Sequence, residues 1–180
     1  LIAEGFTTQS EIDSVIKKNT GAYIEKLENL FCVIRKNKPL FAPKESRRAH
    51  WEIIDANMKF YFRFVYPNQN LIELEQFDRL RDIVNRDYNT FTGKTLEMYF
   101  TELLKEKGGF SMLGPWWDSK GQNEIDIVSI DSFEKSCTLY EVKRNKAKYN
   151  SEKLAYKTEI FKKNIPEFRT ELIGLSIEDM

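Results

Sequence analysis

The sequence predicts a mixed α/β protein of the α+β kind, with two differently patterned regions along its 180 residues. From Gly93 onward, helical stripes and short apolar runs follow the order α-β-β-β-α-β, which predicts a mixed sheet with helices packed against it. Before position 69, two short helical patterns precede two strand-like runs. Hydrophobic residues make up 41% and charged residues 31% of the chain, a balance typical of folded domains rather than disorder.

Residues 1–68 have the element order of a winged helix. Thr8 and Glu11 are spaced as a capping box at the start of the first helix, and "AYIEKLENLF" supplies the apolar stripe of the second. "CVIRKNKPLFAP" and "RAHWEIID" predict a two-stranded wing joined by a basic loop. Glu25 and Glu28 lie on the outer face of the second helix and would repel phosphates. Contact with DNA and a purely packing role both stay open for this unit.

An aromatic-rich segment follows, and residues 69–92 then predict a helical connector. Asp55 is placed to cap the aromatic helix. Because successive aromatic residues cover all sides of a helix, most of them are expected to be buried. They are Phe60, Tyr61, Phe62, Phe64 and Tyr66. Residues 93–180 are predicted to form the second domain.

Composition excludes several classes of function. Cys32 and Cys137 lack the spacing of a zinc site or disulfide framework, which favours a reducing, cytoplasmic setting. His50 is the one histidine, so histidine-cluster chemistry is excluded. No apolar run is long enough to span a bilayer, and no P-loop motif predicts an ATP site. The chain opens at Leu1 within a helix-like pattern, which predicts a piece of a longer protein.

Acidic residues stand in two runs that otherwise predict buried strands. If residues 131–136 form a turn, Ile130 faces Cys137, and counting back along the antiparallel pair sets Asp126 opposite Glu141. Like charges directly opposite each other destabilise a sheet, and Asp and Glu are poor strand formers. This placement therefore calls for a compensating positive charge.

A divalent cation is the compensation that the pattern favours. Asp126 and Glu141 are predicted to hold Mg²⁺ or Mn²⁺, since Mg²⁺ is bound by one or two carboxylates together with substrate phosphates. Lys143 is predicted on the same strand face as Glu141, where its ammonium would orient the attacking water or offset charge on phosphorus. The predicted chemistry is metal-assisted cleavage of a phosphodiester.

The motifs also resemble known proteins. Asp126 followed by "EVK" on the next strand, after a helix and before a basic helix, resembles the PD-(D/E)XK nuclease fold, a restriction-endonuclease-like architecture. "GKTLEMYFTELL", "LGPWWDSKGQNEIDIVSI", "LYEVK" and "EIIDANMKFYFRFVYPN" are similar to the carboxy-terminal region of archaeal-type AAA ATPases, which also occur in bacteria. The resemblance implies that Glu97 faces the metal site and that an ATPase module precedes these domains. Pro115 stands where that family usually has arginine, which removes any phosphate contact from that position.

A basic segment follows the second acidic strand. Residues 143–169 contain nine Lys and Arg against three Glu. Such a segment fits a phosphate-bearing partner, and a solvated helix face explains it nearly as well. The residues predicted to contact DNA phosphates are Arg144, Lys146, Lys148, Lys153 and Lys157.

Three functions stay open on the sequence alone. The first is a Mg²⁺-dependent DNA phosphodiesterase attached to a winged helix. The second is a non-catalytic domain that keeps the nuclease fold and binds DNA or a protein for the ATPase. The third is a toxin or defence nuclease with the winged helix as a dimerisation unit. Oligomeric state and substrate structure are not predicted.

Overall fold

The computed structural model describes residues 1–43 and 49–180, which divide into two compact units. The first unit contains 1–37 and 49–88, and the second contains 38–43 and 89–180. The basic loop predicted between the two strands of the wing lies partly outside the described residues. Each unit has a hydrophobic core of its own.

The first unit has two helices followed by a two-stranded antiparallel sheet. Its elements are α1 (Gln9–Ile16), α2 (Gly21–Asn29), β1 (Ile34–Asn37) and β2 (His50–Ile53). The capping box predicted from Thr8 and Glu11 is confirmed. One apolar residue from each helix packs with residues of both strands, which explains the helical stripes in the sequence. This core consists of Ile12, Ile24, Ile34, Trp51 and Ile53.

The aromatic segment is helical but much less buried than predicted. It runs through α3 (Ala56–Phe60), a π-helical turn and a 3₁₀ turn into α4 (Gln69–Glu73). Asp55 caps α3 as predicted, accepting a hydrogen bond from the Met58 N–H at 2.6 Å. Phe64 is 1% exposed, but the exposed fractions of Tyr61, Phe62 and Tyr66 are 41%, 40% and 56%, so the expectation that most would be buried is wrong. Rings at successive positions point around the helix, and only one side meets a core.

Helix α5 runs without interruption over Phe77–Lys107. Residues up to 92 and the stretch after Gly93 were predicted as separate helical segments, and the structure joins them. A single glycine within a helix costs only about 1 kcal/mol, which hydrogen bonds and packing on either side can offset. The division between the two units falls within this helix, between Tyr88 and Asn89.

The second unit continues from α5 with the predicted order of strands and helix. Its further elements are β3 (Met112–Trp117), β4 (Glu124–Asp131), β5 (Ser136–Val142), α6 (Ser151–Phe161) and β6 (Arg169–Leu175). Among the described residues these strands form a sheet in the order β3-β4-β5-β6. The first two neighbouring pairs are antiparallel and β5–β6 is parallel, so the predicted mixed sheet is confirmed.

Both faces of this sheet are covered, each by one helix. On one face, Leu154 and Phe161 of α6 are fully buried against Val128 and Leu139. On the other, Leu96 and Phe100 of α5 pack with a second set of strand residues, Ile127, Tyr140 and Val142. Cover on both faces explains the nearly continuous apolar runs of β4 and β5. Asp126 and Glu141, which lie within those runs, are therefore largely shielded from water.

Candidate metal centre

The predicted register of the two acidic strands is confirmed along the ladder, but the predicted pair of Asp126 with Glu141 is not part of it. Ile130 pairs with Cys137, and the ladder continues in step to Ile127 and Tyr140. Asp126 lies one residue beyond that last pair. Its Oδ2 accepts a hydrogen bond from the Val142 N–H at 2.7 Å. The Asp126 carboxylate thus accepts a backbone hydrogen bond at the point where the regular β4–β5 ladder ends.

A β-bulge lies at this position in β4. Between the pairs Trp116–Ile125 and Gly114–Val128, β4 contains one residue more than β3. Bulges of this kind bend the strand, increase its local twist and redirect side chains, often next to functional sites. Asp126 lies within the bulged stretch, so the irregularity sets the direction of its carboxylate.

The Lys143 ammonium joins the two predicted carboxylates. Its Nζ lies 2.7 Å from Glu141 Oε1 and 3.5 Å from Asp126 Oδ2. Burial alone would lower the pKa of Lys143, but the hydrogen bond to Glu141 and the charge of Asp126 raise it above its ordinary value. Lys143 is therefore a cation at neutral pH, suited to stabilising negative charge rather than to accepting a proton.

Glu141 is held from its other side by a buried lysine. Its exposed fraction is 7%, and its Oε2 accepts a hydrogen bond from Lys157 Nζ of α6 at 3.0 Å. Burial acts to raise the pKa of Glu141, yet the hydrogen bonds from Lys143 and Lys157 outweigh it and the pKa is lowered. Both carboxylate oxygens are therefore engaged by ammonium groups. The structure places Glu141 in an ion-pair network rather than among converging carboxylates.

Three other carboxylates converge beside Asp126. Glu97 from α5, Glu124 from β4 and Asp126 each offer an oxygen, and these oxygens lie within 4.8 Å of one another. Helix α5 presents Glu97 to the strand, and the two strand residues are two positions apart, so they share a face. The resemblance predicted Glu97 here, whereas Glu124 was not predicted.

Besides Lys143, a second lysine contacts this group of carboxylates. Lys94 Nζ lies 2.8 Å from Glu97 Oε2 and 3.3 Å from Glu124 Oε1. Burial opposes its charge, but Glu97 and Glu124 raise the pKa of Lys94 above its ordinary value. The side chain of Lys94 therefore neutralises part of the negative charge of these carboxylates.

Burial perturbs two of the converging carboxyl groups. Burial, together with the charge of Asp126, raises the pKa of Glu97 to about 7, although Lys94 acts to lower it. Burial also raises the pKa of Asp126, against the opposing effects of Lys143 and the Val142 N–H. Carboxyl groups whose charge is this unfavourable are candidates for a functional site, because a bound cation would stabilise their ionised form.

The basic residues predicted at DNA phosphates have different environments. Lys148 and Lys153 are exposed. Lys146 is also exposed and lies 3.3 Å from Asp179, while Arg144 hydrogen-bonds to Asn89. Lys157 differs from the prediction: it is buried, and its ammonium contacts Glu141 because α6 packs that side chain against the sheet.

The donor set fits a hard divalent cation. Glu97, Glu124 and Asp126 offer carboxylate oxygen alone, which suits Mg²⁺, Mn²⁺ or Ca²⁺ better than a metal that prefers sulfur or imidazole. Among residues 1–43 and 49–180, this is the group of His, Cys, Asp and Glu side chains that meets the spacing for a shared ion. The set includes two of the three predicted ligands, with Glu124 in addition and Glu141 outside it.

Fold and site together define a mixed α+β protein with a group of carboxylates and lysines beside a β-bulge. This group is called the acidic centre below, and it consists of Glu97, Glu124, Asp126 and Glu141 with Lys94, Lys143 and Lys157. The chain belongs to DUF234, a family described as archaea bacterial proteins of unknown function, which it matches over residues 61–155. This match supports the resemblance to archaeal proteins at the level of the family.

A relative from Methanocaldococcus jannaschii, named only as an uncharacterized protein, is 28% identical over 183 residues. The alignment covers 97% of this chain but 39% of the relative, so the chain spans well under half of that protein's length. No solved structure matches the chain. In the part of the chain that the structure describes, the helices are too short or too polar to cross a membrane.

Proposed function

We propose that the second unit is a divalent-cation-dependent DNA phosphodiesterase module with a PD-(D/E)XK nuclease-like fold. The observation that carries the proposal is the meeting of Asp126, Glu141 and Lys143 where the β4–β5 ladder ends, beside the carboxylates of Glu97 and Glu124. The α-β-β-β-α-β order and the mixed sheet support it. In this proposal the first unit is a winged helix, and both units serve an AAA-type ATPase module in a longer protein.

The residues have distinct roles in this proposal. Glu97, Glu124 and Asp126 would hold Mg²⁺ or Mn²⁺, and the bound cation would supply Lewis acidity toward a phosphoryl oxygen. Lys143 stays protonated and places its ammonium beside the same carboxylates, where it would stabilise the negative charge that develops on the phosphoryl oxygens. Glu141 and Lys157 act as positioning residues, because they hold the Lys143 side chain from a buried site. The exposed Lys148 and Lys153 would bind the DNA backbone.

Cleavage of supercoiled plasmid DNA in Mg²⁺ or Mn²⁺ tests this function. Replacing Asp126 by Asn keeps the size of the side chain and removes its charge, and it should reduce cleavage at least about a hundredfold, since even residues behind metal ligands often contribute 10- to 100-fold. Glu171→Gln removes an exposed carboxylate from the neighbouring strand β6 and should leave cleavage unchanged. Cleavage that survives the double change Asp126→Ala and Glu141→Ala would show that the assignment is wrong.

A second function is favoured by one specific observation. Lys94, Lys143 and Lys157 already contact carboxylates of the centre, so much of the negative charge is compensated by the chain itself. In a non-catalytic domain that binds DNA or a protein for the ATPase, these three lysines would be enough to compensate the carboxylates, and no metal ion would be needed. It predicts no heat change on titration with Mg²⁺ or Mn²⁺ and no metal-dependent cleavage.

A further inference from the structure

The lysines of the acidic centre differ in how firmly the fold holds them. The side chain of Lys157 is 11% exposed and that of Lys143 is 33% exposed, whereas that of Lys94 is 53% exposed. Lys157 contacts the buried Glu141, and Lys143 contacts Glu141 at 2.7 Å and Asp126 at 3.5 Å. Lys94 alone among these three lysines contacts two carboxylates of the proposed cation site, Glu97 and Glu124. Withdrawing Lys94 into water would therefore require the least rearrangement.

The contacts of Lys94 use the same oxygen-bearing groups that a cation would need. Its ammonium lies 2.8 Å from Glu97 and 3.3 Å from Glu124, as a single positive charge between two ligands. A divalent ion at these carboxylates would be repelled by an ammonium so close to it. Cation and Lys94 therefore exclude each other by both space and charge.

We infer that Lys94 is an internal counter-ion which occupies the cation site and must leave it when a divalent cation binds. This inference rests on the proposed function, because it takes the Glu97, Glu124 and Asp126 group as the cation site. It adds a regulatory property: the chain sets its own threshold of free cation through the competition of one lysine. The acidic centre stays compensated below that threshold, and Lys94 is released to solvent above it.

The direct test is calorimetric titration of the whole chain with Mn²⁺ at constant pH and ionic strength. Lys94→Met removes the competing charge while keeping an unbranched side chain, and it should tighten Mn²⁺ binding by about three- to tenfold, the gain expected from losing two partly exposed ion pairs. Lys94→Arg keeps the charge and should bind Mn²⁺ within about twofold of the wild type. Circular dichroism of each variant verifies folding.

Lys105→Met is the matched control. Lys105 lies on the same helix and contacts Glu102 three positions away at 2.8 Å, but it is not part of the acidic centre. Its replacement should leave Mn²⁺ affinity unchanged. Equal or weaker Mn²⁺ binding by Lys94→Met, compared with the wild type, would overturn the inference.

The outcomes also separate this inference from the proposed function. If wild type and variants all bind Mn²⁺, with Lys94→Met the tightest, the inference holds even when no DNA is cleaved, and only the phosphodiesterase assignment fails. If cleavage occurs but Lys94→Met binds no more tightly, the inference alone fails. Absence of Mn²⁺ binding in all of them would overturn both.

Discussion

The two antiparallel strand pairs β1–β2 and β4–β5 both bring charged residues close together, with opposite consequences. In the first, Arg35 pairs in register with Glu52, and their side chains meet at 2.5 Å while each stays partly exposed. In the second, the acidic Asp126 and Glu141 lie just beyond the last ladder pair. Opposite charges across a ladder stabilise it and like charges destabilise it.

The difference shows what distinguishes a structural ion pair from a candidate functional one. The Arg35–Glu52 pair combines one charge of each sign at the surface of its strand pair. The Asp126–Glu141 end of the ladder depends on lysines that come from outside the pair, Lys143 just after β5 and Lys157 on α6. The Asp126 and Glu141 carboxylates repel each other and are partly shielded from water. A bound cation can therefore stabilise this site further.

The largest expected effect on stability comes from replacing the buried Lys157. Lys157→Met leaves Glu141 with one ammonium partner in an environment where it is 7% exposed, and we expect the free energy of unfolding to fall by about 3 kcal/mol. Urea denaturation followed by circular dichroism measures it. Lys153→Met on the same helix, where the side chain is exposed, should change stability by less than about 0.5 kcal/mol.

A double variant makes this prediction sharper. Glu141→Gln combined with Lys157→Met removes both charges and should recover most of the lost stability, because a buried carboxylate that has lost one of its two ammonium partners destabilises more than a neutral amide. If Lys157→Met proves no more destabilising than Lys153→Met, the ion-pair network does not stabilise the centre.

An intermediate effect is expected from the pH dependence of Glu97. The folded-state pKa of about 7 lies above the ordinary value of 4.5, so between these pH values the unfolded chain loses a proton that the folded chain keeps. Stability should therefore fall as pH rises through this window, by about 1–3 kcal/mol after allowance for partial exposure.

Glu97→Gln, an uncharged match for the protonated acid, should remove that loss. Without divalent cations, it should be more stable than the wild type at pH 8 and nearly equal to it at pH 5. Glu102→Gln alters a side chain 54% exposed on the same helix and should show no such pH-dependent difference. Parallel pH profiles for Glu97→Gln and the wild type would contradict the raised pKa.

The smallest effect belongs to the pair in the first unit. A double-mutant cycle with Arg35→Met and Glu52→Gln should give a coupling free energy below about 1 kcal/mol, the range of partly exposed ion pairs. A coupling free energy as large as the loss of unfolding free energy caused by Lys157→Met would contradict the proposed difference between the two strand pairs.

The sequence predicted the strands and their register well because those depend on local pattern. Alternating apolar residues and a turn expected at 131–136 were enough to pair Ile130 with Cys137. The turn itself is shorter than expected, because Asp131 and Ser136 also pair and only residues 132–135 connect the strands. The break expected near Gly93 did not occur, since one glycine is a weak signal against a long helix. The exposure of Tyr61, Phe62 and Tyr66 depends on which side of the helix meets a core, which composition does not encode.

The site was predicted in part for similar reasons. Glu124 was within reach of sequence reasoning, because it lies two residues before Asp126 and so shares its strand face. Lys94 carried a weaker signal, its spacing of three from Glu97 on a helix. Lys157 carried none that distinguished it from its exposed neighbours, since its burial follows from how α6 packs on the sheet. The bulge that directs Asp126 was likewise not encoded in any local motif.

The central claim is that Glu97, Glu124 and Asp126 jointly bind a divalent cation. Anomalous difference density from a crystal soaked in Mn²⁺ tests this most directly. We predict a peak about 2–2.5 Å from an oxygen of each of these three carboxylates, with the Lys94 ammonium withdrawn from Glu97 and Glu124. A fully soaked crystal that shows no peak there, or one only at other carboxylates, would contradict it.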